Sequence, residues 1–180
     1  MKIDIRSTTI LGVRRKNKIA MGGDGQVTFG EMALKQKAVK VRAFDVESGT
    51  VLGGFAGAAA DALTLFEKFE QKLEEYEGDL KRSVVELAKE WRMDKYLRHL
   101  DALLALMDKR SSFLLAGDGN VIEPDGPIIA IGSGGGFAQA AASAFLKNTN
   151  MSAAEITKSS LKIASELCIY TNDSITVLEG

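Results

Sequence analysis

TTILGVRRKNKIAMGGDG, residues 8–25, is the stretch whose reading decides the fold. Thr9 to Val13 reads as a strand, and Ile19 to Gly22 reads as its returning partner. The basic cluster Arg14-Arg15-Lys16-Asn17-Lys18 between them reads as a solvated hairpin turn, and Asp24-Gly25 marks the next turn. Thr8 opens this hairpin. If the chain is cut between Ser7 and Thr8, that threonine carries a hydroxyl and a free α-amine on one residue. Such an amine titrates at about 7.7–8.0, so it exchanges protons near neutrality. A threonine paired with its own amine is an activated nucleophile that needs no histidine. The chain holds one histidine and one cysteine.

Downstream, Ala38-Val39-Lys40-Val41-Arg42 alternates with period two. The pattern predicts a strand with Val39 and Val41 on one face and Lys40 on the other. A cation beside the threonine would favour its alkoxide, which makes Lys40 a candidate site residue and Asp24 a candidate to orient Lys40 or the amine. Ser48-Gly49 turns the chain into a strand over Thr50 to Phe55. The glycines Gly53-Gly54 offer an unobstructed backbone N–H of the kind an oxyanion hole needs. Ser133, within Gly132-Ser133-Gly134-Gly135-Gly136, offers a hydroxyl at a similar strand–helix junction.

The remaining chain completes a repeating plan. Leu63, Phe66, Phe69 or Glu70, and Leu73 give one helical stripe. Gly78 ends that helix, and Asp79 caps a second one carrying Val84, Leu87, Ala88 and Trp91. Strands follow over Leu103 to Met107, Ser112 to Ala116, Val121-Ile122 and Ile128 to Ile131, with Asp118-Gly119 as a hairpin turn. Phe137 to Leu146 is helical, and Ser152 with Glu155 opens a last helix to about Cys168. Ser174 to Leu178 closes as a strand. Segregated strands and helices favour an α+β fold: two sheets face to face, each covered by a helix pair. The two halves echo one another at Gly53–Gly57 and Gly132–Ala138.

Composition narrows the function. With 180 residues, 46% hydrophobic and 26% charged, the chain is of single-domain size and globular. A net charge of −1 provides no global footprint for nucleic acid. No apolar run is long enough to span a bilayer, and Met1 to Ser7 lacks the apolar core of a secretory signal. The expected location is the cytoplasm. The glycine loop at 132–136 lacks the lysine of a nucleotide-binding P-loop. One cysteine and one histidine cannot build a zinc cage. Cys168 reads as a buried structural thiol and His99 as a surface residue, and no serine sits in a nucleophile-elbow pattern.

These residues together resemble the HslV (ClpQ) family of bacterial proteasome-like peptidases. The matching segments are Thr8-Thr9-Ile10, Val13-Arg14-Arg15, Gly23-Asp24-Gly25-Gln26, Lys40-Val41-Arg42, Gly54-Phe55-Ala56-Gly57, Ala60-Asp61-Ala62, Thr64-Leu65-Phe66, Val85 to Lys89, Trp91-Arg92, Ala130 to Gly135 and Cys168 to Asn172. The resemblance implies a four-layer αββα N-terminal-nucleophile hydrolase, with residues 1–7 as propeptide and 8–180 as the peptidase domain. It implies Thr8 as nucleophile, Asp24 and Lys40 as its supporting pair, Gly54 as oxyanion donor and Ser133 as a helper. It further implies a homo-dodecamer of two stacked hexameric rings. That assembly works with HslU, a hexameric AAA+ ATPase that unfolds proteins and threads them in; this subunit itself binds no ATP. A sodium ion held by carbonyls of Ser165, Cys168 and Thr171 is also implied, although the family usually has glycine at position 165. Two other classes fit the pattern: a stand-alone N-terminal-nucleophile amidase acting on a small amide, and a non-catalytic ring subunit that retains its leader.

Overall fold

The computed structural model describes residues 8–29, 32–57, 59–95, 97 and 102–180; the expected propeptide, Met1 to Ser7, and His99 lie outside them. The chain runs β1 (Thr9–Arg15), β2 (Lys18–Gly23), β3 (Val27–Phe29), β4 (Met32–Lys35), β5 (Val41–Val46) and β6 (Gly49–Gly57). The helices α1 (Ala59–Glu75) and α2 (Leu80–Met93) follow. Then come β7 (Ala102–Met107), β8 (Ser112–Ala116), β9 (Val121–Ile122) and β10 (Ile128–Gly132). Helices α3 (Gly135–Asn148) and α4 (Ala153–Leu167) precede the final strand, β11 (Thr176–Glu179).

The opening hairpin pairs β1 with β2 from Ile10 opposite Gly23 to Arg15 opposite Lys18. Its turn is only Lys16-Asn17, at φ 49° and 61°, the two-residue turn whose twist matches antiparallel strands. The basic cluster is therefore not a solvated turn throughout. Arg14 and Arg15 belong to β1 and are half-buried. Arg14 donates to the Asp108 carbonyl at 3.4 Å and to Ser112 Oγ at 3.3 Å, and Arg15 donates to the Thr149 carbonyl at 2.6 Å.

One sheet has the order β10-β1-β2-β11 and the other the order β5-β6-β7-β8-β9. β1 is buried on both faces, which explains its unbroken apolar run. Ile10 joins Met21, Leu52, Ala105, Met107 and Ile131 between the sheets. Leu11 and Val13 face the other way, against Ala138, Ala142, Ile156 and Leu161 of α3 and α4. On the far side of the second sheet, Phe44, Val51 and Phe55 pack on Phe66, Phe69, Leu87 and Trp91 of α1 and α2. Phe44 meets Phe66 and Phe69 edge-on at 5.7 and 5.1 Å. The result is the four-layer αββα sandwich.

The sheets pack tightly at Gly54. A Cβ there would stand 2.5 Å from Ile10 Cγ2 and 3.1 Å from Met21 Sδ, so a side chain would force the layers apart.

Most local signals hold. The Asp79 side chain caps α2 by accepting from Arg82 N at 3.0 Å, and Ser152 with Glu155 forms the reciprocal capping box of α4. Three expectations change. Leu63 is 63% exposed, and the buried stripe of α1 is Ala62, Leu65, Phe66, Phe69 and Leu73. The closing strand begins at Thr176 rather than Ser174, and the hairpin β3–β4 was not anticipated. Every residue of β4 is exposed, Met32 and Leu34 included, so that strand shows no buried alternation to announce it.

Candidate active site

The site forms where β1 begins, β2 ends and β5 begins. Thr9, the first residue of β1, donates its N–H to Asp24 Oδ1 at 2.8 Å, and Asp24 returns its own N–H to the Thr9 carbonyl at 3.2 Å. Thr8 is thereby held beside Asp24 by its neighbour's backbone. Lys40 Nζ donates to the same Asp24 Oδ1 at 2.9 Å and to the Gln26 carbonyl at 2.6 Å. The lysine ammonium and the amide that joins Thr8 to Thr9 thus share one acceptor oxygen. Asp24 Oδ2 accepts from Gln26 N at 2.9 Å, so the carboxylate is well supplied with donors.

Asp24 is 0% and Lys40 2% exposed. Burial pulls the Lys40 ammonium below its usual pKa, and the adjacent Asp24 charge and hydrogen bond oppose that fall. The sequence identified both residues, but not how Lys40 arrives. It does not stand mid-strand. It lies one residue before β5, in an irregular stretch, and Val39 is 67% exposed while Val41 is buried. The two valines share no face, and the alternation there does not reflect a strand.

Ser133 reaches Thr8 through its backbone rather than its hydroxyl. Its N–H donates to the Thr8 carbonyl at 3.0 Å. Gly132 makes this possible: its φ is +89°, and a Cβ on it would overlap the Thr8 carbonyl oxygen.

Gly54 does not fit the role of oxyanion donor. Phe55 N–H donates to the Lys40 carbonyl at 3.1 Å, so it faces the β5 side. Successive N–H groups of a strand point to opposite edges, so that of Gly54 faces β7, where Ala105 is its register partner. The next residue of β6 whose N–H faces the β5 side is Gly57. It lies beyond Gly54, the last β6 residue with a partner in β5, so no strand pairs with it there. Its neighbour Ala56 lies against Gly132, 3.5 Å from where a Cβ on that glycine would sit. Strand parity is the signal that distinguishes the two glycines, and parity requires the register.

Among the described residues no group of His, Cys, Asp and Glu stands together as a metal site, and no helix is long and apolar enough to cross a membrane. Backbone carbonyls are a separate case. Ser165 lies in the last turn of α4, and Cys168 caps that helix by donating to the Ala164 carbonyl. The carbonyls after Ala164 have no further helical turn to accept from. The Cys168 carbonyl accepts from Thr171 N at 3.1 Å, which uses one of its two lone pairs. Serine at 165 is accommodated, because its backbone is helical and its hydroxyl folds back on the Lys162 carbonyl at 2.7 Å. Backbone carbonyls are the oxygen donors that a hard cation takes, and the Cys168 carbonyl keeps one lone pair for such a role.

A proteasome-subunit family model matches residues 5–179. The ATP-dependent protease subunit HslV of Aquifex aeolicus (strain VF5) is 55% identical over 177 residues, covering 98% of this chain and 99% of that protein. The crystal structure of eukaryotic HslV from Trypanosoma brucei aligns with a TM-score of 0.88 at 41% identity, covering 95% of this chain and 98% of that one. With the αββα layers and the Thr8–Asp24–Lys40 grouping already in place, the chain belongs to the proteasome-subunit family, in its HslV branch.

Proposed function

We propose that Thr8, once its amine is freed from Ser7, is the nucleophile with which this chain cleaves peptide bonds. The chain is a threonine-type peptidase subunit of the proteasome-like, ATP-dependent kind. The observation that carries the residue assignment is the shared oxygen of Asp24, which holds both Lys40 Nζ and the Thr9 N–H beside Thr8. The free amine, or a water it holds, takes the Thr8 hydroxyl proton. The alkoxide attacks a peptide carbonyl, and the tetrahedral oxyanion is met by backbone N–H, for which we favour Gly57 over Gly54. The leaving amine takes a proton as the C–N bond breaks, and water hydrolyses the resulting ester. Lys40 keeps the local field positive, which favours a neutral amine and the developing alkoxide.

Processing tests this reading. Active protein should lack Met1 to Ser7 by intact mass, because the Thr8 nitrogen cannot act as a base while it is acylated. A uniform chain that still begins at Met1 and has full activity overturns the mechanism.

The finer assembly is proposed on family grounds: two stacked hexameric rings in the cytoplasm, an AAA+ ATPase partner of the HslU kind, unfolded protein substrates, and sodium at the Ser165, Cys168 and Thr171 carbonyls. A partner that prefers the ordered site shifts its population only by differential affinity. Coupling of this kind amounts to about 5–150-fold. Peptide cleavage should rise by a factor in that range when ATPase and ATP are added to rings alone. Equal rates, at concentrations where sedimentation shows the complex, favour the stand-alone amidase.

A further inference from the structure

The residues that support Thr8 come from two non-strand segments that flank the β3–β4 hairpin, whose ladder ends at Val27 opposite Lys35. Asp24 to Gln26 lie between β2 and β3, and residues 37–40 lie between β4 and β5. A third segment, between α4 and β11, touches both. Asn172 accepts the Gly25 N–H on Oδ1 at 3.0 Å and donates from Nδ2 to the Gln36 carbonyl at 2.9 Å and to Gln36 Oε1 at 2.7 Å. Its Oδ1 also accepts from Ser174 N at 3.2 Å, so the amide has both donors and both lone pairs in use. Its own N–H points at Asp24 Oδ2 at 3.4 Å. The preceding residue, Thr171, is buried and shares a 2.7 Å hydrogen bond with the Thr9 hydroxyl, which also accepts from Gly134 N at 2.9 Å.

We propose that Asn172 is a positioning residue for the peptidase reaction: its side chain sets the distance between the loop that carries Asp24 and the stretch that delivers Lys40. The proposal rests on the peptidase reading above. The hydrogen bonds of Asn172 go to Gly25, Asp24, Gln36 and Ser174, not to Thr8. It acts through Gly25, one residue after Asp24, and through Gln36, four residues before Lys40. The Ala38 N–H donates to the Gly25 carbonyl at 2.9 Å, so the two segments already touch, and Asn172 fixes their register from the outer side. Its bonds to Gln36 are solvent-exposed, so they add little to the core that holds the sandwich together. Displacing a catalytic group by about 1 Å costs on the order of 10²-fold.

The test is steady-state cleavage of a fluorogenic peptide by assembled protein in sodium-containing buffer, with Thr8→Ala as the blank. Asn172→Ala should lower kcat about 10–100-fold with KM little changed, and with ring assembly and the unfolding midpoint close to the parent. Asn172→Asp keeps the acceptor for Gly25 and Ser174 but loses the donors to Gln36, so it should act in the same direction. Gln36→Ala leaves the backbone carbonyl in place and should cost only a few-fold. Combined with Asn172→Ala, it should add nothing, because the two share one interaction. Parent-like kcat in both Asn172 variants overturns the proposal, and so does a kcat loss that tracks disassembly or full additivity with Gln36→Ala. A parent no more active than the Thr8→Ala blank overturns the peptidase reading, and the proposal with it.

Discussion

Thr8→Ala should reduce peptide hydrolysis on the order of 10³-fold or more, while the protein still assembles. The size follows from what the side chain does and what it does not do. Thr8 is placed through backbone: its carbonyl accepts from Ser133 N–H at 3.0 Å, and the next residue's N–H is held by Asp24 at 2.8 Å. Alanine keeps both bonds. It removes the hydroxyl together with the γ-methyl, so the oxygen that would be acylated is gone. Thr8→Ser retains hydroxyl and amine and should retain measurable turnover. The check is a fluorogenic peptide assay beside sedimentation of each variant. If Thr8→Ala hydrolyses peptide within about tenfold of the parent, the nucleophile is elsewhere.

That Thr8 and Asp24 belong together is legible in the chain, because the first hairpin brings them together by local rules. Strand alternation, the Lys16-Asn17 turn and the Asp24-Gly25 signal place the start of β1 beside the end of β2. The helix caps at Asp79 and Ser152 are equally local. What is not legible depends on contacts distant in sequence. The alternation around Lys40 mimics a strand, yet the residue is set by an irregular segment and by a carboxylate 16 positions earlier. The Thr9–Thr171 hydroxyl pair spans 162 positions. Gly54 and Gly57 have the same sequence character, and only the pairing of β6 with β5 and β7 tells which N–H is free of the sheet. Leu63 and Leu65 both suit a helix face, and the phase of α1 is chosen by the aromatic cluster it covers.

Lys40→Ala carries the second large effect, and it acts on stability as well as rate. Removing the ammonium takes the cation from beside Thr8, and the expected loss of turnover is on the order of 10²–10³-fold. It also leaves Asp24 fully buried without its counter-charge. Breaking a buried pair in this way costs about 3–5 kcal/mol. The Asp24 carboxylate still has the Thr9 and Gln26 N–H groups, which keeps the fold within reach. Lys40→Arg keeps the charge, but its planar fork cannot aim one nitrogen at both Asp24 Oδ1 and the Gln26 carbonyl, so it should recover stability more than rate. The pH dependence separates the two roles. Burial lowers the Lys40 pKa below the 10.5 of free lysine. Activity that needs the ammonium is therefore lost as pH rises through this lowered value, and that limb should be absent in Lys40→Arg. Stability runs in the opposite sense. Between the folded pKa and 10.5 the unfolded chain binds more protons at this site, so the Lys40 contribution to stability rises with pH across that window. Turnover and urea unfolding midpoints, measured over the same alkaline range in parent and Lys40→Arg, check both signs. A parent whose alkaline activity loss persists unchanged in Lys40→Arg would show that another group titrates, and Lys40 would then be a structural partner of Asp24.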